Sequence, residues 1–575
     1  MKNPKMEKMK IAFWKQLFIT GVLILTATAA LYAQESDNLS KELVLVRPYE
    51  PSVVDAQKIS PLPDLNDTAR VKPTFKYTIK SRRIDIQPDI TPITPAKLQP
   101  LPLNKLYHSY VKAGIGTGMH PMLDVALNSL RNDKFAAGVI VKYDGMFGNV
   151  KLENEKSVYA GYSDANVKLF GQKFYRSSYL YGDAGIGNKI VHNYGYQPGI
   201  DTLMLKDEVS KSYTFADARI GLRSSHYRTS QLNYNVQGSY GYTGNKTDSH
   251  GDLLPFADIR KFKEHDVNVN AQLDNNMFGG NIDFEYYTRS EAFDSLHSNF
   301  ALSANPWFVM DNDSIRLEVG MRASLYKEGK GVLQYKIYPK VEFQFTLLKD
   351  VFIPFLGIDG SLKTNTYRDI IEENPFITPG LSLPITNMKL NIYGGLKGAI
   401  TSKLSYYLRA NFTTSDREMF FVNDTAYSKA QNYFNIITDN VNKFNIGAEI
   451  YYNPNERLEL RVKANYDSYE LSTQSYAWHC PMWSGEFSAK YKYRKLLFNL
   501  DAFAIGQRYA KAFEPNVDYY KLKGVLDFNF GVEYQYLRRM SFFVKFNNFT
   551  GNHYNRWNFY PSQKFNVMGG FTFSL

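Results

Sequence analysis

His479, Cys480 and Met482 bring an imidazole, a thiol and a thioether close together in the chain, and these donor types suit a soft metal such as copper. Their spacing argues against a site. Neighbours in one short stretch point in different directions, Pro481 stiffens the turn, and no second donor cluster completes a coordination shell. No metal or other cofactor is therefore expected. The nine histidines are dispersed and none falls into a Ser, His, Asp arrangement, so the chain does not read as an enzyme. Trp478, Trp483 and Trp557, with Tyr476, Tyr554, Phe559 and Tyr560, concentrate aromatic rings toward the end of the chain. Such rings suit stacking on a sugar or apolar ligand, and equally a girdle at a membrane interface.

The elements that must carry these residues are strands. From residue 107 onward the chain repeats one device, a strand of about ten residues followed alternately by a tight polar turn and a longer loop. Leu458, Leu460, Val462, Ala464 and Tyr466 alternate with Glu459, Arg461, Lys463, Asn465 and Asp467. Phe487, Ala489, Tyr491 and Tyr493 alternate with polar residues in the same way, as do Leu526, Phe528, Phe530, Val532, Tyr534 and Tyr536. One face is apolar and the other wet. A soluble β-sandwich would have to divide more than twenty such strands among several cores, and no linker separates them. A transmembrane antiparallel β-barrel needs no division, and its one-sided strands account for 43 Tyr and 39 Phe without long apolar runs. Short turns at 132–133, 227–229, 275–278, 311–313, 349–350, 453–456 and 537–539 mark one end, and longer loops at 191–210, 245–261, 367–388 and 414–440 mark the other. The alternation gives 22 strands, and a miscounted hairpin would make 20 or 24.

The ends fit this reading. Lys2, Lys5, Lys8, Lys10 and Lys15 precede an apolar run and then small residues, the layout of a secretory signal over 1–33. Residues 34–106 carry ten prolines and read as an extended or irregular periplasmic segment, and 107–575 as the barrel. Within that segment Leu43, Val44, Leu45 and Val46 form a short strand that suits a partner's sheet edge, or a tether with a few buried contacts. At the other terminus Phe565, Val567, Phe571, Phe573 and Leu575 share one face of a strand that stops with the chain, which suits closing a barrel in lipid. The net charge of +12 is scattered, and five lysines belong to the leader, so nucleic acid is not an expected partner.

Gly570, Phe573 and Leu575 resemble the terminal assembly signal of bacterial outer-membrane barrels, which implies the barrel-assembly machinery and outer-membrane lipid as partners. Residues 105–116 (KLYHSYVKAGIG), 128–132 (NSLRN) and 373–376 (ENPF) are similar to Bacteroidota outer-membrane barrels labelled TonB-dependent-receptor-like. The stretch around Leu43 resembles a TonB box, and the triplets at Asp67, Asp201, Asp294 and Asp424 resemble O-glycosylation triplets of the same bacteria. The resemblance implies a Gram-negative outer-membrane barrel involved in solute passage, with a periplasmic energy-coupling protein as a further partner. Full receptors fill the barrel with a plug domain of well over a hundred residues, and 34–106 is too short for one. The alternative is a scaffold that holds surface lipoproteins or periplasmic partners.

Overall fold

Alternating side chains leave each strand with one apolar and one polar face, and a sheet of such strands hides its edges by closing on itself. The computed structural model describes residues 107–130, 132–198, 206–225, 232–246, 261–290 and 296–575. The leader, the proline-rich segment with Leu43, Val44, Leu45 and Val46, the turn at 227–229 and most of the loop at 245–261 lie outside the described residues. In the described part, 22 strands form one closed antiparallel barrel in which each strand bonds its neighbours in the chain.

Closure is made by the terminal strand. Asn566–Ser574 pairs with Met540–Asn547 on one side and with the first strand, Ser109–Gly116, on the other, where seven residue pairs run from Tyr110↔Ser574 to Gly116↔Met568. Phe571 and Leu575 lie exposed on the outer surface, whereas Met568 and Thr572 are buried toward the interior. Gly570 lies in this seam, and a Cβ there would collide with the Ala113 carbonyl oxygen and the Phe543 ring. Phe543 fills that space from the neighbouring strand, with the Lys112 ammonium 4.9 Å from its ring centre.

The same parity holds around the wall. In Leu458–Leu471 the pairs Val462↔Ile450 and Tyr466↔Ile446 meet on the outer face, while Asn465 and Asp467 line an interior cavity beside Asn445 and Lys443 of Phe434–Asn455. Charged interior residues neutralise one another across strands: Lys443 lies 3.0 Å from Asp467, Arg461 2.6 Å from Glu449, and Lys340 2.7 Å from Glu318.

Each expected short turn among the described residues overlaps a connection at one end, and three further tight turns there, at 175–177, 402–403 and 494–495, were not read from the sequence. At the other end one expectation fails. The span 414–440, read as a loop, is mostly strand: Leu404–Asn423 and Phe434–Asn455 run 20 and 22 residues and leave ten residues between them. Beyond the barrel rim their side chains Phe420, Phe421, Val422 and Phe434 are all buried, so the alternation that marks a wall strand gives way to a continuous apolar run. The expected loop at 367–388 likewise holds the helix Tyr367–Glu373, capped by Thr366, whose side chain accepts from the Asp369 N–H.

Candidate functional site: a loop core above a polar lumen

The long loops fold together into a hydrophobic core at the rim. Tyr367, Ile370, Ile371, Ile377, Leu381 and Leu383 come from residues 364–385, and they pack with Phe421 and Phe434, Tyr213 and Phe215, Phe262, and Trp557 and Tyr560. These residues belong to strands and loops from opposite sides of the barrel, so the core spans the mouth. Tyr560 is its hub. The ring stacks on Phe376 at 4.0 Å, meets Tyr194 edge-on at 4.9 Å, and donates its hydroxyl proton to the Asn432 carbonyl at 2.6 Å.

Polar groups inside the core are paired across long sequence separations. Asn193 Nδ2 donates to the Asn432 carbonyl at 2.7 Å and Asn432 Nδ2 returns a bond to the Asn193 carbonyl at 2.9 Å. Tyr213 donates to the Pro375 carbonyl at 2.6 Å, and the Glu264 carboxylate accepts from the Tyr367 N–H at 2.9 Å, at the start of the helix. Lys211 donates to the Ile377 carbonyl and rests on the Tyr433 ring at 4.0 Å. A backbone bridge joins Ile377 to Phe434. Gln431, His479 and Phe559 hold left-handed backbone with φ of 54°, 61° and 67°, a conformation that costs a side-chain-bearing residue and persists only where surrounding packing enforces it.

The sequence candidates occupy different parts of this assembly. His479 is buried; its Nδ1 donates to the Phe421 carbonyl at 3.0 Å and its Nε2 accepts from the Asn558 N–H at 3.3 Å. Both ring nitrogens are thus used by backbone, and burial lowers the imidazole to about 3, which fixes it neutral. Trp557 lies in the core against Phe421, with ring centres 5.1 Å apart, and Trp478 is buried beside Phe420, Val422 and Val441. Trp483 stands exposed on the wall, as does Met482 at its edge. The structure therefore brings His479 and Trp557 together, at 5.2 Å, and leaves Trp483 apart from both.

Beneath the core lies a cavity of about 920 Å3, lined by polar wall residues such as Asn411, Thr413, Asn445 and Asp467 and by Glu373, Glu418 and Cys480 at its upper side. Burial lifts the Glu373 carboxyl above its usual range and pushes the Cys480 thiol up to about 12. A second cavity of about 540 Å3 sits nearer the short-turn end, among Asp274, Asn305, Asp311, Arg316, Glu318, Arg322 and Lys340. No group of three or more His, Cys, Asp or Glu side chains among the described residues is placed to hold a metal ion.

Sequence reasoning missed Tyr560 as a hub, the Asn193–Asn432 pair and Tyr367. Each is a loop residue whose partner lies tens to hundreds of positions away, and period-two reading has no purchase there. One signal was available: in residues 373–376 Glu373 lines the cavity, Asn374 is fully buried, the Pro375 carbonyl accepts from Tyr213, and Phe376 stacks on Tyr560.

No protein-family profile and no curated protein matches this chain. Solved structures do. The FrpB iron transporter from Neisseria meningitidis (F3-3 variant) superposes with a TM-score of 0.64 at 8% identity, covering 82% of both chains. The siderophore receptor PiuA from Acinetobacter baumannii gives 0.60 at 10% identity, again over 82% of both chains. The copper transporter OprC gives 0.58 at 10% identity over 82% of this chain and 80% of its own. At such identities the likeness is one of fold, and the fold of this chain is that of the 22-strand receptor and transporter barrels.

Proposed function

We propose that the chain is an outer-membrane barrel, similar to TonB-dependent receptors, that passes a solute through a water-filled lumen whose outer mouth is gated by the loop core. It acts without enzymatic chemistry. The reading rests on one observation: a polar interior with cavities of about 540 and 920 Å3 runs below a packed cap, while the outward face is apolar. In this orientation the short turns face the periplasm and the cap faces outward. Residues 1–33 then serve as the signal peptide and 34–106 lie on the periplasmic side, where Leu43, Val44, Leu45 and Val46 offer a strand to an energy-coupling protein. Gly570, Phe573 and Leu575 present the assembly signal. The Bacteroidota origin and the absence of a full plug belong to this proposal.

The test is a native-membrane purification combined with uptake measurement. A co-purified small solute whose uptake falls when the gene is deleted supports passage. A second reading, the scaffold, draws support from the cap itself, because its described loops pack into one core. Stoichiometric surface lipoproteins without any uptake defect would establish that reading in place of the first.

A further inference from the structure

The rim that bears the short turns is not the same all round. Four consecutive turns of the wall, at 402–403, 456–457, 494–495 and 538–539, carry six cations: Lys403, Arg457, Arg494, Lys495, Arg538 and Arg539. All six are exposed, and Glu456 is the one acidic residue on these turns. None of the six forms an ion pair among the described residues, whereas Lys443, Arg461 and Lys490, inside the same stretch of wall, each do. Two strands separate each turn from the next, so the row extends over about 30 Å.

The outer wall beside these turns has a matching feature. Tyr452, Tyr493 and Tyr536 stand on the outer face one to four residues before a turn, in the parity of Ile450, Tyr491 and Tyr534. All three are exposed. Their rings continue the apolar band and their hydroxyls end it, the arrangement that marks the level of lipid headgroups. The Arg494 guanidinium lies 5.5 Å from the centre of the Tyr493 ring, and Lys495 Nζ is 3.5 Å from the Tyr536 carbonyl, so the cations sit at that level. Across the barrel the rim is built otherwise. The turns at 275–277 and 312–314 hold no Lys or Arg, and nearby Arg316 is paired with Asp311 at 3.2 Å. The outer wall beside them presents Leu273, Phe278, Phe308 and Met310, without a tyrosine.

We propose that this basic arc is a docking surface for anionic phospholipid headgroups, which collects such lipids along one side of the barrel. Charge and level together choose the occupant. Six cations without ion pairs call for anions, and tyrosines at the edge of the apolar band place those anions among headgroups rather than in bulk water. The segment that leads into the first strand adds to the positive charge, since residues 71–106 carry seven Lys or Arg against two Asp. Arginine suits a phosphodiester in particular, because its planar fork donates two parallel hydrogen bonds to phosphate oxygens. The inference rests on the membrane placement proposed above, with the short turns toward the periplasmic leaflet.

The test uses the full chain in phosphatidylethanolamine vesicles containing a trace of phosphatidylglycerol or, in a parallel sample, phosphatidylcholine, each with a photoactivatable group beside its phosphate. Adducts are mapped by mass spectrometry at Tyr493 and Tyr536 and, as the control, at Phe278 and Met310. Relative to the zwitterionic probe, the anionic probe should label the basic arc about tenfold more strongly and the control arc equally. Arg494→Gln, Lys495→Gln, Arg538→Gln and Arg539→Gln together should remove the excess, and Lys at the three arginine positions should keep most of it. Folding of both variants is checked by heat-modifiable gel migration. Salt at about 1 M, which screens charges beyond about 3 Å, should also shrink the excess. An excess equal at both arcs, or one that survives the four Gln substitutions, would overturn the inference. So would capture of an acidic polypeptide in place of lipid by a photo-crosslinker at position 536 in native outer membranes. Absence of label from either probe at both arcs would overturn the membrane placement itself, and the inference with it.

Discussion

The wall and the cap of this barrel are built from the same residues by different rules. In the wall, each strand finds its partners next door in the chain, and a two-residue period decides which side chains face outward and which line the interior. In the cap, bonds such as Asn193 to Asn432 join positions 239 residues apart, and aromatic rings from several loops converge on Tyr560. The wall is therefore cooperative through its backbone and tolerant of single side chains, whereas the cap depends on particular side chains and can be loosened without opening the wall.

The largest effect should come from breaking the wall's closure. Removing residues 571–575 deletes four of the seven pairs with the first strand, and the exposed backbone costs several kcal/mol per group in lipid, on the order of the chain's whole stability. No surface-displayed, heat-modifiable barrel is expected. Phe573→Asp should act in the same direction, and normal display of either variant would show that closure does not depend on this strand.

Next comes the hub of the cap. Tyr560→Ala removes a fully buried ring and should cost about 3–5 kcal/mol, confined to the loops. The barrel should still assemble and migrate as a folded band. Cys480, the sole cysteine, should become more reactive toward a maleimide, because its thiol is held up at about 12 only while it is half-buried beneath the core. Loss of the folded band would mean that cap and wall are one cooperative unit.

A smaller effect is set by pH. His479 is lowered to about 3 in the folded cap and titrates near its ordinary value when the cap opens, so the open form binds the extra proton. Stability of the cap then rises with pH over the window from about 3 to 6.5, and at pH 5 the loss should be about 2 kcal/mol relative to pH 8. Cys480 exposure, read after a short pulse and returned to a common labelling pH, should increase as pH falls through this window. His479→Gln should flatten the profile, and an unchanged profile would remove His479 as its source.

The smallest effect is expected in the wall's interior. Arg461→Gln breaks the pair with Glu449, but these partly exposed groups face water, so stability should hardly change. Only the ion selectivity of the lumen should shift, as measured by reversal potential in a barrel whose residues 366–383 are replaced by a Gly-Ser linker.

This contrast also explains what could be read from the sequence. The barrel, its 22 strands and the end bearing the short turns follow from alternation in stretches such as Leu458 to Asp467, where local pattern and final contact coincide. The reading failed at 414–440 because Phe420, Phe421, Val422 and Phe434 serve a core that period two does not describe. His479 carries a metal-donor ring that its spacing argued against using, and its two nitrogens bond the backbone of Phe421 and Asn558.

The central claim is that the loop core alone closes a lumen that is otherwise open to water. Single-channel conductance in planar bilayers tests it directly, using a chain that lacks residues 35–102, with the cap either intact or with residues 366–383 replaced by a short Gly-Ser linker. With the cap intact the barrel should stay closed, and with the linker it should show large, steady openings. A barrel that already conducts fully with its cap intact, or that stays closed without it, would contradict the claim.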